Sequence, residues 1–462
     1  MSQPLSFNRR KALGILGAGS AGALLAACSP SQQADQGNSG GNSTGGSGDK
    51  VTISFRLWDD QVQKAYQKAF TEFTKQNPDI EVKTNLVPWA NYWTQLPVDV
   101  GSGAIDDLFW TNSSNFQQYA DAGKISDVNS LLGSIDDAWV KPVVDQYTYK
   151  DKLWGIPQIA DANGIFYNKS IISDVDPKII SRIGKLKWRP GAGSGDNLLS
   201  TLKMLTVDKN GKAATDAGFD GKNIKTYGYN AAYDLQAIYF PFIGSNGGRW
   251  QQGNGSNKFV FGSDPKTVQA FEYIVDLINK YHVAPSAADT NDNGDFSLNQ
   301  FLQGHMAIFQ SGTYNLANIS DGAKFDWAIA RNPAGTAGSF GVASGVVVAA
   351  SAATKNTDAV KKLLRFLGSA DGNKFIGESG SALPAVSTAQ SSWVDFWKAK
   401  NIDVQAFVDA ANGDTIPAPL GTGGSASSDA YDPILKEIFL GRTPVKSGLA
   451  QAEAKANAAI GH

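Results

Sequence analysis

Val51-Thr52-Ile53-Ser54-Phe55-Arg56-Leu57 alternates apolar and other side chains and reads as a strand with one face inside. Val62, Tyr66, Phe70 and Phe73 then recur at helical spacing, and Asn77-Pro78 stops that helix before Ile80-Glu81-Val82 starts a second strand. A strand, a crossing helix and another strand at this spacing make a parallel β-α-β unit. In such units binding residues collect at the C-terminal ends of the strands, where Trp58-Asp59-Asp60 lie.

The same grammar continues outward. Asp107-Leu108-Phe109-Trp110 is a short strand followed by Thr111-Asn112, and helices are expected over Val268 to Tyr281 and Asp358 to Leu367, the latter closed by Gly368 at C′. Met306-Ala307-Ile308-Phe309 and Gly345-Val346-Val347-Val348 are strand-like runs between them. The body from Val51 onward is too long for one compact core, so the reading is an α/β fold in two lobes.

The N-terminal segment is built for export. Arg9-Arg10-Lys11 precedes an uncharged stretch from Ala12 to Ala27, too short and Gly-rich for a comfortable membrane span. Cys28 is the single cysteine in 462 residues, so it has no internal partner and is read as an attachment point. Leu25-Ala26-Ala27-Cys28 resembles the lipobox of bacterial lipoproteins, with the signal cut before the cysteine and lipid placed on its sulfur. The paired arginines resemble a twin-arginine signal, an ordinary secretory signal being the alternative. Ser29 to Asp49, nearly all Ser, Gly, Asn and Gln, reads as a flexible tether, so residues 1–27 are assigned to the signal and 28–50 to the lipidated cysteine and linker.

Composition narrows the function. A net charge of −2 without a basic block argues against nucleic acid as a partner, and no later apolar run reaches spanning length. Eleven Trp, fourteen Tyr and twenty-three Phe beside three His favour binding over acid–base chemistry. The histidines show no metal-ligand spacing, and no Gly-x-Ser-x-Gly elbow, phosphate-binding loop or CxxC is present. The chain is read as a non-enzyme without a cofactor.

Several segments, in order, carry a family resemblance: Phe70-Thr71-Glu72-Phe73 with Asn77-Pro78-Asp79-Ile80; Trp154-Gly155-Ile156-Pro157 leading to Asp161 and Phe166-Tyr167-Asn168-Lys169; Gln303-Gly304-His305-Met306-Ala307-Ile308 leading to Ser311-Gly312-Thr313-Tyr314-Asn315; and Phe366-Leu367-Gly368-Ser369 leading to Ser381-Ala382-Leu383-Pro384-Ala385. The chain resembles the extracellular solute-binding proteins of bacterial ABC-type importers, in the group containing maltose-binding protein and its oligosaccharide-binding relatives. The resemblance implies a type II, periplasmic-binding-protein-like fold, its two lobes joined by crossover strands and closing over a ligand by hinge motion. It places one lobe at 51–157 plus 343–384 and the other at 158–342 plus 385–462, with hinges at Pro157 and Ser339-Phe340-Gly341. It further implies a lipid-anchored monomer on the outer face of the cell membrane that hands a carbohydrate, an oligosaccharide, to permease subunits powered by an ATPase.

A sugar ring has apolar C–H faces and a belt of hydroxyls, so it is held by flat aromatic surfaces and by groups that donate and accept hydrogen bonds. By resemblance, ligand contacts fall to the loops bearing Trp58, Asp59, Trp110, Asn112 and Asp161. From the second lobe come Tyr233, Gln236, Trp250 and Tyr314, with Gly345 allowing close approach across the cleft. Trp89 is included, although the spacing of Trp89, Tyr92 and Trp93 also suits a helix packing inward. Each aromatic has the alternative of a core ring, and each Asp that of a helix start or turn.

Asp289, Asn291, Asn293, Asp295 and Ser297 stand at alternating positions around Gly294 as in a calcium loop, but Gln300 occupies the place of the bidentate Glu. A polar loop capping the next helix is the competing reading. Two further functions stay open: the same receptor fold for a polyol or glycerol derivative, and a surface-anchored glycan-binding or glycan-hydrolysing lipoprotein.

Overall fold

The computed structural model describes residues 50–133, 138–253, 257–421 and 424–461. The expected export signal, Cys28 and the expected linker to Asp49 lie outside the described residues. Among those described, no helix is long and apolar enough to cross a membrane.

In chain order the elements that shape the molecule are β1 (Val51–Leu57), α1 (Asp60–Gln76), β2 (Ile80–Leu86), α2 (Trp89–Ser102), β3 (Leu108–Thr111), β4 (Ile125–Ser126), α3 (Lys141–Tyr147), β5 (Ile156–Asp161) and β6 (Asn163–Asn168). They continue with α4 (Pro265–Asn279), β7 (Ile308–Gly312), β8 (Trp327–Ala330), β9 (Gly341–Ser351), α5 (Thr357–Leu367), α6 (Ala370–Glu378), α7 (Gln390–Ala399), β10 (Thr415–Pro417), α8 (Gly424–Phe439) and α9 (Val445–Ala459).

The opening unit forms as its sequence predicts. β1 and β2 are parallel, in register from Val51 opposite Ile80 to Leu57 opposite Leu86. Between them α1 buries Val62, Ala65, Tyr66, Ala69, Phe70 and Phe73, a stripe set by the helical period. Asp59 caps its start, and Asn77 closes its end through backbone bonds to Phe73 and Thr74. Arg56 points off β1 between Asp99 and Asp106, 2.6 Å from each.

The first sheet runs β10-β9-β3-β1-β2, with β4 and β5 also paired to β9. A second sheet holds β6 between β7 and β8, both antiparallel to it. The chain leaves the first sheet at Asp161 and enters the second at Asn163. β9 makes the return: its residues 341–343 pair with β10, and 344–348 pair with β5. Two hydrophobic cores result. Phe55, Phe109, Ile156, Val347 and Leu364 belong to one, and Ile165, Trp188, Tyr239, Phe271 and Leu435 to the other. The architecture is α/β in two lobes.

Some local expectations shift. Gly368 does end α5, but with φ −81° it is not left-handed. It is small because an added Cβ would lie 3.0 Å from the Trp139 ring and 3.1 Å from Ile156. The strand expected from Met306 begins at Ile308. The helix expected over 268–281 spans Pro265–Asn279, because Asp264 accepts from Thr267 N and sets its start earlier. α7, counted with the second lobe from sequence, packs on α6 and places Trp393 and Trp397 in the first core.

The calcium-loop reading is not supported by the geometry. Asp289 lies within a helical turn, Ala287–Thr290, and accepts from Ser286 Oγ. Asn291 donates to the Lys436 carbonyl, and Asp292 pairs with Lys436 Nζ at 2.7 Å, so α8 pins the loop. Among the described residues no three His, Cys, Asp or Glu side chains cluster to hold a metal.

Candidate ligand cleft

A cavity of about 590 Å³ collects the C-terminal ends of β1 and β3, the end of β5 and the crossover part of β9. Of the residues expected at a site, Trp58, Asp59, Trp89, Trp110, Asn112, Asp161, Gln236, Tyr314 and Gly345 line it. Tyr233 and Trp250 do not.

Trp58 is the hub of an aromatic cluster. It meets Trp89, Tyr92 and Trp110 edge-on at ring distances of 5.4, 4.9 and 4.7 Å and tilts against Trp93 at 5.1 Å. Both readings of α2 hold. Tyr92 turns inward and donates from its hydroxyl to the Trp110 carbonyl at 2.7 Å, while Trp89, at the helix start, is 56 % exposed at the mouth. Trp110 itself is buried and spends its indole N–H on the Tyr66 hydroxyl, 3.1 Å away, so it is a wall rather than a free platform. Tyr314, on the turn Thr313–Asn315, is 45 % exposed and offers a ring from the opposite side.

The polar groups divide by how occupied they are. Asp59 Oδ1 accepts from Gln61 N and Val62 N at 2.8 and 2.9 Å, so the helix-cap reading is correct for that oxygen. Asn112 accepts from Asn115 Nδ2 at 2.7 Å at the start of a loop that also brings Ser113 and Ser114 to the cleft. Asp161 stands at the crossover with only long contacts, 3.5 Å from Thr313 Oγ1 and 3.5 Å from Ser344 Oγ. These are at the outer limit of a hydrogen bond and leave the carboxylate able to accept from a ligand. Burial pushes the Asp161 carboxyl above its usual value, against the pull of Ser344, Thr313 and Gln236.

Gln236 reaches the site through an uncommon element. Leu235–Tyr239 is a π-helical turn, started by Asp234 accepting from Ala237 N at 2.8 Å. The widened turn buries Ala237, Ile238 and Tyr239 and leaves Leu235 and Gln236 facing the cleft, where Gln236 Nε2 donates to Ser344 Oγ at 3.3 Å.

Three expectations are corrected. Trp250 is 3 % exposed and stacks on Phe261 at 4.0 Å inside the second core. Tyr233 donates to Asp432 and stacks on Tyr239, which takes it out of the cleft. Gly345 lines the floor, but its missing side chain serves the sheet: a Cβ there would lie 2.4 Å from the Ile159 carbonyl oxygen. Ser344, Thr313, Ser381, Pro419 and Tyr431 line the cleft without having been singled out. Ser344, inside β9 opposite Asp161, and Thr313, just after β7, were legible as polar neighbours of Gly345 and Tyr314; Tyr431, inside a helix, carried no such signal.

Among the described residues lining the cleft the charged groups are Asp59 and Asp161; no lysine or arginine joins them. Exposed rings, under-satisfied acceptors and a cavity between two cores define a receptor for a polar solute with apolar faces. The description "bacterial extracellular solute-binding protein" matches residues 59–374, and the chain belongs to that family. UspC of M. tuberculosis superposes with a TM-score of 0.79 at 43 % identity, over 88 % of this chain and 100 % of that one. An ABC substrate-binding protein from Listeria monocytogenes, solved with cycloalternan, shares the fold at a TM-score of 0.70 and 20 % identity, over 89 % and 100 % of the two chains. The multiple sugar-binding protein of Streptococcus mutans is 27 % identical over 174 residues, 37 % of this chain and 38 % of that relative. That alignment spans well under half of either protein.

Proposed function

We propose that the chain is the carbohydrate receptor of an ABC-type importer, held at the outer face of the cell membrane by lipid on Cys28, and that its cargo is an oligosaccharide. The carrying observation is the pairing of exposed rings, Trp89 and Tyr314, with acceptors that no protein donor saturates, Asp161 above all. Stacking surfaces on both sides of a cleft suit a ligand of more than one ring. The Streptococcus mutans relative, named a multiple sugar-binding protein, supports a carbohydrate cargo. A phosphorylated glycerol derivative is disfavoured, because its charge would face two carboxylates and no cation. Transfer to permease subunits calls for release, so micromolar affinity, about −8 kcal/mol, fits the task.

The test is the thermal midpoint of the body from Asp49 onward against di- to hexasaccharides of differing linkage. A ligand bound only by the folded state at a hundred times its Kd adds about 2.7 kcal/mol and raises the midpoint accordingly. A rise for one linkage class without release of reducing ends is the expected result. No rise with any sugar overturns the reading, and release of reducing ends would make the protein a hydrolase.

Acid should affect binding and folding in opposite directions through Asp161. Its folded carboxyl holds a proton more strongly than the unfolded one, so its contribution to stability is complete below the unfolded value and is lost as pH rises through the folded value. Protonation also removes an acceptor from the cleft. Sugar affinity is therefore expected to fall on acidification through the raised value, and Asp161→Asn should flatten that dependence. Calorimetric titrations across pH would show an unchanged slope in the variant if another group is responsible.

A further inference from the structure

We infer that Tyr66 is the positioning residue for the Trp110 wall of the cleft and ties that wall to the strand that carries Asp161; this rests on the receptor reading above. Tyr66 lies on α1, fully buried, and touches no part of the cavity. Its hydroxyl nonetheless links two elements that do. Gln158, on β5 three residues before Asp161, has its amide nitrogen 2.8 Å from the Pro157 carbonyl and 3.1 Å from the Leu367 carbonyl. Two carbonyl acceptors fix which end of the amide is nitrogen, so Gln158 Oε1 must face Tyr66, at 2.9 Å, and accept. Tyr66 therefore donates to Gln158, and its remaining lone pair is aimed to accept the Trp110 indole N–H at 3.1 Å. The sequence of bonds has one direction, Trp110 to Tyr66 to Gln158.

Gln158 is itself immobilised. Its backbone carbonyl accepts from Asn373 Nδ2 on α6 and from Ala385 N, both at 3.1 Å. The Trp110 ring thus takes its orientation from the crossover strand, not only from neighbouring apolar contacts. Trp93 supplies the internal contrast: it belongs to the same aromatic cluster, but its indole nitrogen is buried without a partner.

Nitrogen-15 labelling of the eleven tryptophans reads this directly, with Trp110→Phe and Trp93→Phe identifying the two resonances. In the wild-type protein the Trp110 indole proton is expected to exchange with water at least about tenfold more slowly than that of Trp93, and Tyr66→Phe should abolish the difference. In the same variant, affinity for the oligosaccharide giving the largest thermal shift should fall about three- to tenfold, while in a Trp110→Phe background Tyr66→Phe should change it by less than about twofold. Equal exchange of the two indoles in the wild type, or unaltered affinity in a folded Tyr66→Phe protein, overturns the inference. If Tyr66→Phe does not fold, the wild-type comparison decides alone. If the wild type binds no sugar, the receptor reading fails while indole exchange still decides the role of Tyr66.

Discussion

Trp58→Ala is expected to weaken oligosaccharide binding by at least about 30-fold, about 2 kcal/mol, the range of a binding hot spot. Trp58 touches four other aromatic rings and lies just past the C-terminal end of β1 on the cleft. Its removal takes away a ring of the lining and the edge contact that orients Trp89. The cluster is also partly core, so the variant should lose stability, and calorimetry must be run well below its unfolding midpoint. Trp89→Ala separates the two effects, because a side chain 56 % exposed contributes little to the core. A smaller loss of affinity with an unmoved midpoint is expected there. Unaltered affinity in both variants would place the sugar elsewhere.

The largest effect on folding should come from Arg56→Ala, which is expected to cost about 3–5 kcal/mol in urea unfolding. The Arg56 side chain is 8 % exposed, and those of its partners Asp99 and Asp106 are 29 % and 9 % exposed. Asp106 also accepts from Asn85 Nδ2 at 3.1 Å, so the ion network joins β1, β2, α2 and the approach to β3. Truncation leaves two carboxylates facing each other without a cation, and the desolvation they have already undergone is no longer offset. Arg56→Lys should recover little, since one ammonium lacks the fork that reaches both acids at 2.6 Å. Replacing all three with neutral residues of similar volume should recover most of the loss. A midpoint for Arg56→Ala within error of the wild type would show the network to be solvated.

The opening β-α-β unit was legible because each residue obeys the local rule of its own element: alternation in Val51–Leu57, helical spacing from Val62 to Phe73, a cap at Asp59. The ends of β1 and β3 followed from topology, which is why Trp58, Asp59 and Asn112 could be placed at the cleft. Trp250 and Tyr233 could not be sorted the same way. Nothing in a tryptophan's neighbours along the chain says whether a distant Phe261 will stack on it, and Tyr233 is claimed by Asp432, 199 positions away. The aspartates behaved as mixed cases: Asp59 is both cap and cleft residue, because a carboxylate has two oxygens. The apparent calcium loop is put to other use: spacing records which oxygens are near in sequence, not that Asp289 accepts from Ser286 and that Asn291 donates to the Lys436 carbonyl on another helix.

The strand β9 has a consequence for how the molecule is made. The first core draws on residues from Ile53 to Ala411 and the second on residues from Ile165 to Ala456. Neither can be finished from the first half of the chain, since each waits for segments from its last quarter. Separations of this length slow folding, and the second core stays open until α8 and α9 are present. A truncation before α7 should therefore cost both lobes together, because Trp393, Trp397 and Phe407 of the first core and Ile416, Leu435 and Leu449 of the second all lie beyond that point.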